Sequence, residues 1–439
     1  MPIVPLAINA YKRASAFVPE VVCRNMYIER DESGLSPDQT LRIQRPGLTS
    51  QYLLAGSVEA MTNWPKEAGM FTVAGGQAYL DNVSLGSVPV GNAAVVTTTL
   101  AAGIVTNGAV YYTTGGAPAL VTFPGDAPSL PVDIEQLNGY LLILTRNGRF
   151  YWMVPGENTI DPLNFATAES SGDEGRAIRR IGDEFFIFGT DSTEVWQATG
   201  DMDAPFSRAP GRLYQRGCMD RDTVRRFDNS LVWVGDDGTV YRLGSVPQAI
   251  STPGLDERIR RRSAPLSAWV FKIDGHDFYC LDIPGEGKFG YDASTQQWSE
   301  FTWPLYTGET VDGLTTAGDA TGRIYRLDAG NATDNGVVFE KAISATVGFL
   351  GKGPRNDSIS IGVGASDDCT IRIRWKDGQD DYPDYYDEIE ARAPMDVATM
   401  YRLGEPEQPH RTFEISNVDP VILRIAGMTA NDAWAGGNG

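Results

Sequence analysis

Three aspartates recur at equivalent places in the middle of the chain: Asp183, Asp228 and Asp274 each lie beside Gly or Asn just before an apolar run. Glycoside hydrolysis uses carboxylates that converge on one site, one of them with a raised pKa so that it can act as general acid. However, a residue that recurs in every repeat is explained fully by a role in a tight turn, where Asp, Asn and Gly tolerate positive φ angles. The pattern therefore predicts turn residues and no catalytic carboxylate.

Nucleophilic catalysis has little to draw on in this sequence. The chain has only two histidines, His276 and His410, and no Gly-x-Ser-x-Gly elbow. We expect His276 to be a surface residue in a hairpin turn. The glycines Gly362 and Gly364 lie between strands and lack the third glycine of a phosphate-binding loop. The sequence thus predicts no enzyme activity and no cofactor.

Metal and redox sites are also unsupported. The acidic stretch 377–390 could hold Ca²⁺, but its spacing does not match a calcium loop, so a solvated loop is predicted. The four cysteines are scattered and form no pair at metal-ligand or redox spacing, which favours folding in a reducing cytosol. They are Cys23, Cys218, Cys280 and Cys369.

A basic cluster, Arg258, Arg260, Arg261 and Arg262, follows two acidic residues and predicts one helical turn between strands. Phosphate contact at a DNA channel is one interpretation of this cluster. Salt bridges to acidic neighbours or to an adjacent subunit are the favoured one, because carboxylates are abundant in a chain of formal charge −20.

The elements that carry these residues repeat every 45 residues or so. Each copy has a Gly, Asn or Asp turn, an apolar strand, a second turn and an aromatic strand. The first apolar residues of the five clear copies are Leu141, Phe185, Leu231, Phe278 and Ile324, which by subtraction are 44, 46, 47 and 46 residues apart. Such a period in all-β sequence predicts a propeller of four-stranded blades. Two weaker hairpins near residues 75–80 and 107–112 raise the expected number of blades to six or seven.

The fold class predicted is all-β, with three regions. Residues 1–50 are expected to be an irregular segment that closes or flanks the propeller, and residues 51–336 the β-propeller. Residues 337–439 contain longer strands of strict alternation and predict a C-terminal β-sandwich-like domain. Tyr401, Arg402, Leu403 and Trp434 in this domain are candidate contacts to neighbouring subunits.

Composition narrows the class of function further. The chain has 439 residues, 48 Gly and 26 Pro, and a pI near 4.5. An evenly spread charge of −20 disfavours ordinary DNA binding, but an acidic conduit would let DNA slide without adhering. We find no secretion signal and no apolar run of transmembrane length, and expect no membrane insertion.

Several motifs resemble one protein family. They are Met1-Pro2-Ile3, Asn25-Met26-Tyr27-Ile28-Glu29, Arg45-Pro46-Gly47-Leu48, Thr193-Glu194-Val195-Trp196 and Arg402-Leu403-Gly404. Their order resembles that of the packaged-DNA stabilisation proteins of short-tailed bacteriophages, also called tail hub or nozzle proteins.

The resemblance implies a structural virion protein, synthesised in the bacterial cytoplasm and located in the tail. It implies a homo-hexameric ring below the portal and its adaptor, which extends the DNA exit channel and retains and then releases the genome. Tail adaptor and portal-associated proteins would be partners, with a tail needle, fibre or tailspike as further possibilities. DNA would pass without sequence-specific binding. The alternatives are a receptor- or glycan-binding propeller of a virion and, less favoured, a propeller glycosidase.

Overall fold

A computed structural model describes residues 3–4, 6, 21–30, 40–125, 127, 129–168, 172–202, 204–348, 356–378, 380–404 and 410–432. The N-terminal strands are β1 (Ile3–Val4), β2 (Cys23–Arg24), β3 (Met26–Arg30), β4 (Thr40–Gln44) and β5 (Gly47–Leu53).

The next strands form the propeller blades, numbered along the chain. Blade 1 has β6 (Val58–Trp64), β7 (Gly69–Ala74), β8 (Gln77–Leu80) and β9 (Val83–Ser87), and blade 2 has β10 (Ala94–Thr97), β11 (Ala102–Thr106), β12 (Ala109–Thr113) and β13 (Ala119–Leu120). Blade 3 has β14 (Pro131–Leu137), β15 (Tyr140–Thr145), β16 (Arg149–Met153) and β17 (Phe165–Thr167), and blade 4 has β18 (Gly175–Ile181), β19 (Glu184–Gly189), β20 (Thr193–Ala198) and β21 (Phe206–Tyr214).

The second half of the ring includes the helical elements. Blade 5 follows a 3₁₀ turn (Arg221–Thr223) and has β22 (Arg225–Phe227), β23 (Ser230–Val234), β24 (Val240–Leu243) and β25 (Pro247–Ala249). Helix α1 (Pro253–Arg261) leads to blade 6, which has β26 (Ser267–Ile273), β27 (His276–Ile283), β28 (Gly287–Asp292) and β29 (Trp298–Phe301). Blade 7 has β30 (Leu305–Val311), β31 (Leu314–Asp319) and β32 (Arg323–Asp328), followed by the short strands β33 (Thr333–Asp334) and β34 (Val337–Val338).

The ring is closed by a strand from the other end of the chain. Strand β5 pairs antiparallel with β32 and supplies the fourth strand of blade 7. The innermost strands contact one another in sequence around the axis, and β30 of blade 7 contacts β6 of blade 1. The described residues therefore form a closed propeller of seven blades, which confirms the predicted fold class.

The sequence repeat maps onto blades 3 to 7, with one error of register. Leu141, Phe185, Leu231 and Phe278 all lie in the second strand of their blades, but Ile324 lies in β32, the third strand of blade 7. The second strand of that blade, β31, has the sequence LTTAGD and lacks the apolar run of the other copies. The two weaker hairpins predicted earlier in the chain lie in blades 1 and 2.

Aromatic side chains pack the faces of neighbouring blades together. Between blades 3 and 4, Phe150 contacts Trp196 and Phe185 edge to face, with ring centroids 5.0 and 5.3 Å apart. Trp196 belongs to the Thr193–Trp196 motif, and its indole Nε1 donates to the Glu194 carboxylate at 3.2 Å. These pairs bury large apolar areas in the directional geometry that aromatic rings prefer.

The second domain is a β-sandwich whose remaining strands are β35 (Lys341–Gly348), β36 (Asn356–Ala365), β37 (Cys369–Asp377), β38 (Asp387–Ala391), β39 (Met395–Tyr401), β40 (His410–Asn417) and β41 (Leu423–Asp432). One sheet has the order β3-β4-β41-β36-β39, with β1 paired to β41, and the other has the order β2-β35-β40-β37-β38. Ile359, Ile361 and Val363 of β36 are buried between the sheets, as strict alternation predicts.

The expectation that residues 1–50 are irregular is wrong for their described part. Strands β2, β3 and β4 complete the sandwich, and β5 closes the propeller. Cys23 and Met26 lie in the sandwich core beside residues from beyond position 340. Short strands interrupted by turns give no long alternating pattern, so their pairing with distant strands was not visible in the sequence.

The sandwich is attached at the outer edge of the propeller. Strand β2 pairs in parallel with β29 of blade 6, at Arg24 and Glu300, and antiparallel with β35. A continuous nine-stranded sheet thus runs from blade 6 into the sandwich. Among the described residues, no helix combines the length and hydrophobicity needed to cross a bilayer.

Candidate functional site

The propeller axis contains a small polar cavity. Its volume is about 350 Å³, and residues of the innermost strands line it. The charged lining residues are Glu59, Asp133, Glu135, Asp222 and Glu309 on the acidic side and Arg179, Arg225, Arg226 and Lys272 on the basic side. A volume of this size corresponds to a small-molecule pocket and not to a channel for a DNA duplex.

The charges along the axis largely compensate one another. Asp133 is completely buried and forms an ion pair with Arg179. Burial raises the pKa of Glu309, although two nearby guanidinium groups oppose the shift. Burial and the neighbouring Arg179 lower the pKa of Arg225 to about 10. For Asp222 burial opposes ionisation, but the adjacent arginines hold its pKa below the usual value. This balance is typical of a polar network that holds neighbouring strands together.

The three recurrent aspartates lie in the turns between the first and second strands of their blades. Asp228 and Asp274 adopt positive φ angles of 43° and 48°, and Asp183 follows Gly182, whose φ is 58°. The Asp228 carboxylate forms an ion pair with Arg242 of the same blade. These positions supply the backbone geometry of two-residue hairpins.

His276 is not the surface residue that the sequence analysis predicts. It begins β27, its exposed fraction is 7%, and its Nδ1 lies 2.8 Å from the Asp292 carboxylate and 3.0 Å from the Ser294 hydroxyl. Tyr27 of the sandwich strand β3 covers its ring, with centroids 5.0 Å apart. Strand β3 is distant in sequence and closes over the turn, so the residues around His276 give no sign of this burial. Both polar partners meet the same ring nitrogen, so this group lacks the relay of a catalytic triad.

The basic cluster lies on α1, which is longer than the single turn expected. The Thr252 hydroxyl accepts from the Leu255 amide at 3.3 Å and caps the helix, and Leu255 and Ile259 are buried between blades 5 and 6. The helix therefore holds its arginines on a fixed framework.

Three of the four arginines form hydrogen bonds or ion pairs within the chain. Arg258 donates to the Glu286 carbonyl at 3.0 Å, Arg261 forms an ion pair with Glu257, and Arg262 lies 3.8 Å from the Asp220 carboxylate. Arg260 and Arg261 are exposed. Two cations thus remain accessible from this face of the propeller.

The acidic stretch 377–390 is engaged in ion pairs at both ends. Asp377 accepts from Arg411 at 2.6 and 2.8 Å, and Glu388 accepts from Arg372 at 3.0 Å. Within the described parts of the chain, no group of three or more acidic, histidine or cysteine side chains is placed to hold a metal ion.

The C-terminal candidate contacts separate into exposed and buried positions. Tyr401 is 68% exposed at the end of β39, whereas Leu403 is 3% exposed and packs in the sandwich core. Arg402 between them has a φ of 66°, which turns the chain. The Leu403 carbonyl accepts from Arg411 at 2.7 Å. Trp434 lies outside the described residues.

Two motifs that carry the family resemblance meet at the boundary between the domains. Asn25 is fully buried with a φ of 54°, and its side-chain amide donates to the Thr302 hydroxyl and the Glu340 carbonyl, each at 2.7 Å. Its backbone amide donates to the Glu300 carbonyl at 2.7 Å. Asn25 therefore joins the sandwich strands to the end of blade 6.

Arg45 occupies the centre of the same boundary and is fully buried. Its guanidinium donates to both oxygens of Asp334 at 2.9 and 2.6 Å, and its Nε donates to the Asn25 side-chain carbonyl at 2.8 Å. It also lies over the rings of Phe339 and Trp303, 3.8 and 5.2 Å from their centroids. We call Asn25, Arg45 and Asp334 the junction. Asn25 and Arg45 belong to the motifs that carry the family resemblance, whereas Asp334 lies in none of them and was not predicted.

The glycine of the second motif is required by close packing at the junction. A Cβ on Gly47 would lie 2.5 Å from the Thr333 carbonyl oxygen and 2.6 Å from that of Asn331. Such distances cannot be accommodated without moving the backbone, so Gly47 lets β5 approach the chain that follows blade 7.

Comparison with known proteins gives a family match. A family model described as "Bacteriophage P22 Gp10, beta-propeller" (Phage_stabilise) matches residues 4–338. A search of curated proteins found no significant match.

Solved structures similar to this chain include three with low sequence identity. The WD40 domain of Doa1 is 10% identical with a TM-score of 0.44, covering 64% of this chain and 97% of that one. YCF48 from Cyanidioschyzon merolae is 12% identical with a TM-score of 0.43 (64% and 98%), and U3-55K is 11% identical with a TM-score of 0.43 (64% and 99%).

Proposed function

We infer the function from the premise that this chain belongs to the Phage_stabilise family, whose model matches residues 4–338 of its 439 residues. The chain is therefore a phage structural protein with a role in DNA stabilisation, and a component of the virion. A propeller with a structural role in this family is consistent with a protein that is not an enzyme.

We propose that several copies, six in the simplest arrangement, form the ring of the tail hub or nozzle. In this proposal the ring extends the DNA exit channel below the portal and adaptor, retains the genome and later releases it. The observation that carries the proposal is the family match. The size of the axial cavity adds a constraint, because DNA would have to pass between copies and not through a propeller.

The acidic balance supports a passive conduit. Six copies would carry a formal charge of about −120, which is six times −20. Carboxylates facing the lumen would keep the phosphate backbone from forming the counterion-releasing contacts that slow sliding. Contacts with adaptor, portal-associated, needle, fibre or tailspike proteins would then fall on surfaces away from the lumen.

The test is a phage that lacks this protein. Its heads should package DNA but lose it, so that nuclease-protected DNA per particle falls, and protein supplied from a plasmid should restore retention. Imaging of complemented particles should place a ring of copies below the portal. Particles that retain their genome and infect without the protein would overturn the proposal.

A further inference from the structure

The outer face of one sandwich sheet carries a large apolar groove. Its volume is about 780 Å³, and residues of β4, β36, β39 and β41 line it. Met395 and Val397 of the edge strand β39 form one wall, with exposed fractions of 73% and 63%. An apolar depression of this kind on an acidic protein marks an interaction surface.

The floor of the groove is made of glycines that the fold itself does not require. Gly362 and Gly364 lie directly beside Val397 and Met395 in the strand register. Neither has a positive φ, and a Cβ would meet no atom closer than 3.4 Å at Gly362 or 3.7 Å at Gly364. Glycine within a strand weakens it and often marks close approach by another chain. The empty floor therefore indicates space kept for an occupant.

The composition of the chain points to one segment as that occupant. Five stretches longer than three residues lie outside the described residues: 7–20, 31–39, 349–355, 405–409 and 433–439. The first four each contain at least two charged residues, whereas 433–439 has the sequence AWAGGNG and no charged side chain. An uncharged segment with one tryptophan matches an apolar groove floored by glycine.

The length of the chain limits which tryptophan can fill the middle of the groove. Asp432 pairs with Asn356, and Gly362 lies six positions further along β36, which is about 20 Å at the rise of a strand. Trp434 follows Asp432 by two residues, which span at most about 7 Å. Even with the length of an indole added, the same chain's Trp434 could extend only to the near end of the groove, at Ser360 and Thr429, so a tryptophan in the middle would come from another copy.

We propose that the groove receives Trp434 from the 433–439 segment of a neighbouring copy of this chain. Tyr401, exposed at the far end of β39, would lie at the margin of the same contact. This inference rests on the proposed assembly into a ring and deepens it by naming one interface. The contact is heterologous, since groove and segment are different surfaces, and can therefore propagate around a closed ring.

Cysteine cross-linking tests the proposal directly. Copies with Val397→Cys are mixed with tagged copies with Trp434→Cys under a mild oxidant, in solution and in assembled particles. All four native cysteines are buried, so background coupling should be low. A mixed disulfide should form, because it requires the two Cα atoms to lie within about 7 Å. The matched control is Val83→Cys, which is similarly exposed at 61% on the outer strand of blade 1 and should not couple.

A chain carrying both Val397→Cys and Trp434→Cys shows whether the groove is filled by the same chain's segment, by a neighbouring copy's segment or by neither. An internal disulfide would mean that the segment folds onto its own groove, and absence of any disulfide would mean that another molecule or nothing occupies it. Either result overturns the proposal.

Substitution gives an independent measurement. Trp434→Ala and Val397→Asp should each weaken self-association at least about tenfold by light scattering, as expected for a buried aromatic anchor, while Val83→Asp should not. If the wild-type ring forms in particles and Trp434→Ala leaves it unchanged, the groove inference fails and the proposed function stands. If no ring of this protein is present in particles, the proposed function itself fails.

Discussion

Replacement of Arg45 by methionine should destabilise the protein more than loss of any surface ion pair. The guanidinium has an exposed fraction of 0% and makes two hydrogen bonds to Asp334 and one to Asn25. Methionine keeps much of the volume and apolar contact but leaves the Asp334 carboxylate without its guanidinium partner, while the Asn25 carbonyl keeps its hydrogen bond from the Thr302 amide at 2.9 Å. Removing one partner of a buried pair costs about 3–5 kcal/mol. Because the Asp334 side chain remains 19% exposed and can recover some hydration, we expect a value near the lower limit, about 3 kcal/mol.

The assay is urea unfolding followed by tryptophan fluorescence, since Trp303 lies 5.2 Å from the guanidinium and reports on the junction. The matched control is Arg372→Met, which removes an arginine from a partly exposed pair with Glu388 on the sandwich surface. That change should cost about 0.5 kcal/mol.

A double-mutant cycle distinguishes the pair from simple loss of packing. Asp334→Leu should be destabilising alone, and the Arg45→Met, Asp334→Leu double variant should lose less than the sum of the single changes, because no unpaired charge remains at the boundary. The reasoning fails if Arg45→Met costs no more than Arg372→Met, or if the two junction changes are simply additive.

Three further results are expected. Burial opposes protonation of His276, but the Asp292 carboxylate raises the pKa of the histidine above 6.5. Burial also opposes ionisation of Asp292, but hydrogen bonds to its carboxylate lower the pKa below 3.8. The stability contributed by protonated His276 should therefore be present below pH 6.5 and lost as pH rises through its folded pKa. The stability contributed by ionised Asp292 should be lost as pH falls below 3.8. In a plot of melting temperature against pH, His276→Gln should remove the decrease on the high-pH side. Deletion of residues 337–439 alone should cause aggregation, measured by light scattering, because the sandwich strands in residues 23–44 lose their partners. Deletion of residues 337–439 together with the N-terminal strands up to residue 44 should leave a folded propeller. Equal solubility of the two truncated proteins would contradict this prediction. The wild-type chain should bind duplex DNA negligibly in low-salt fluorescence anisotropy, and tight, salt-sensitive binding abolished by serine at the two exposed arginines of α1 would identify a DNA contact there.

The sequence predicted the propeller blades correctly wherever a strand is a continuous apolar run next to a tight turn. Strands β15, β19, β23 and β27 are apolar runs after tight turns, so their common spacing predicts blades. Strand β31 was not recognised as a strand of the repeat, because its threonines, alanine and glycine are not strongly hydrophobic, although Ala317 is fully buried. The error at Ile324 follows directly from that composition.

The sequence was insufficient wherever a residue depends on a distant partner. Arg45 and Asp334 are 289 positions apart, and nothing near either residue indicates that they meet. His276 is buried by Tyr27, which belongs to another domain. For the same reason the sequence did not predict that the N-terminal strands join the sandwich, since strand pairing depends on the whole chain.

The path of the chain explains why the junction and the groove have different significance. The chain begins in the sandwich, enters the propeller as the last strand of blade 7, travels around the ring and returns to the sandwich. The junction residues Asn25, Arg45 and Asp334 all lie within the family match of residues 4–338, and two of their contacts, with Phe339 and Glu340, fall just beyond it. The groove, formed mainly by strands between 360 and 429, lies almost entirely beyond it. The family match thus covers the closed propeller and the N-terminal strands that enter the sandwich. The surface through which we propose that copies of this chain engage one another belongs to the part that the match does not reach.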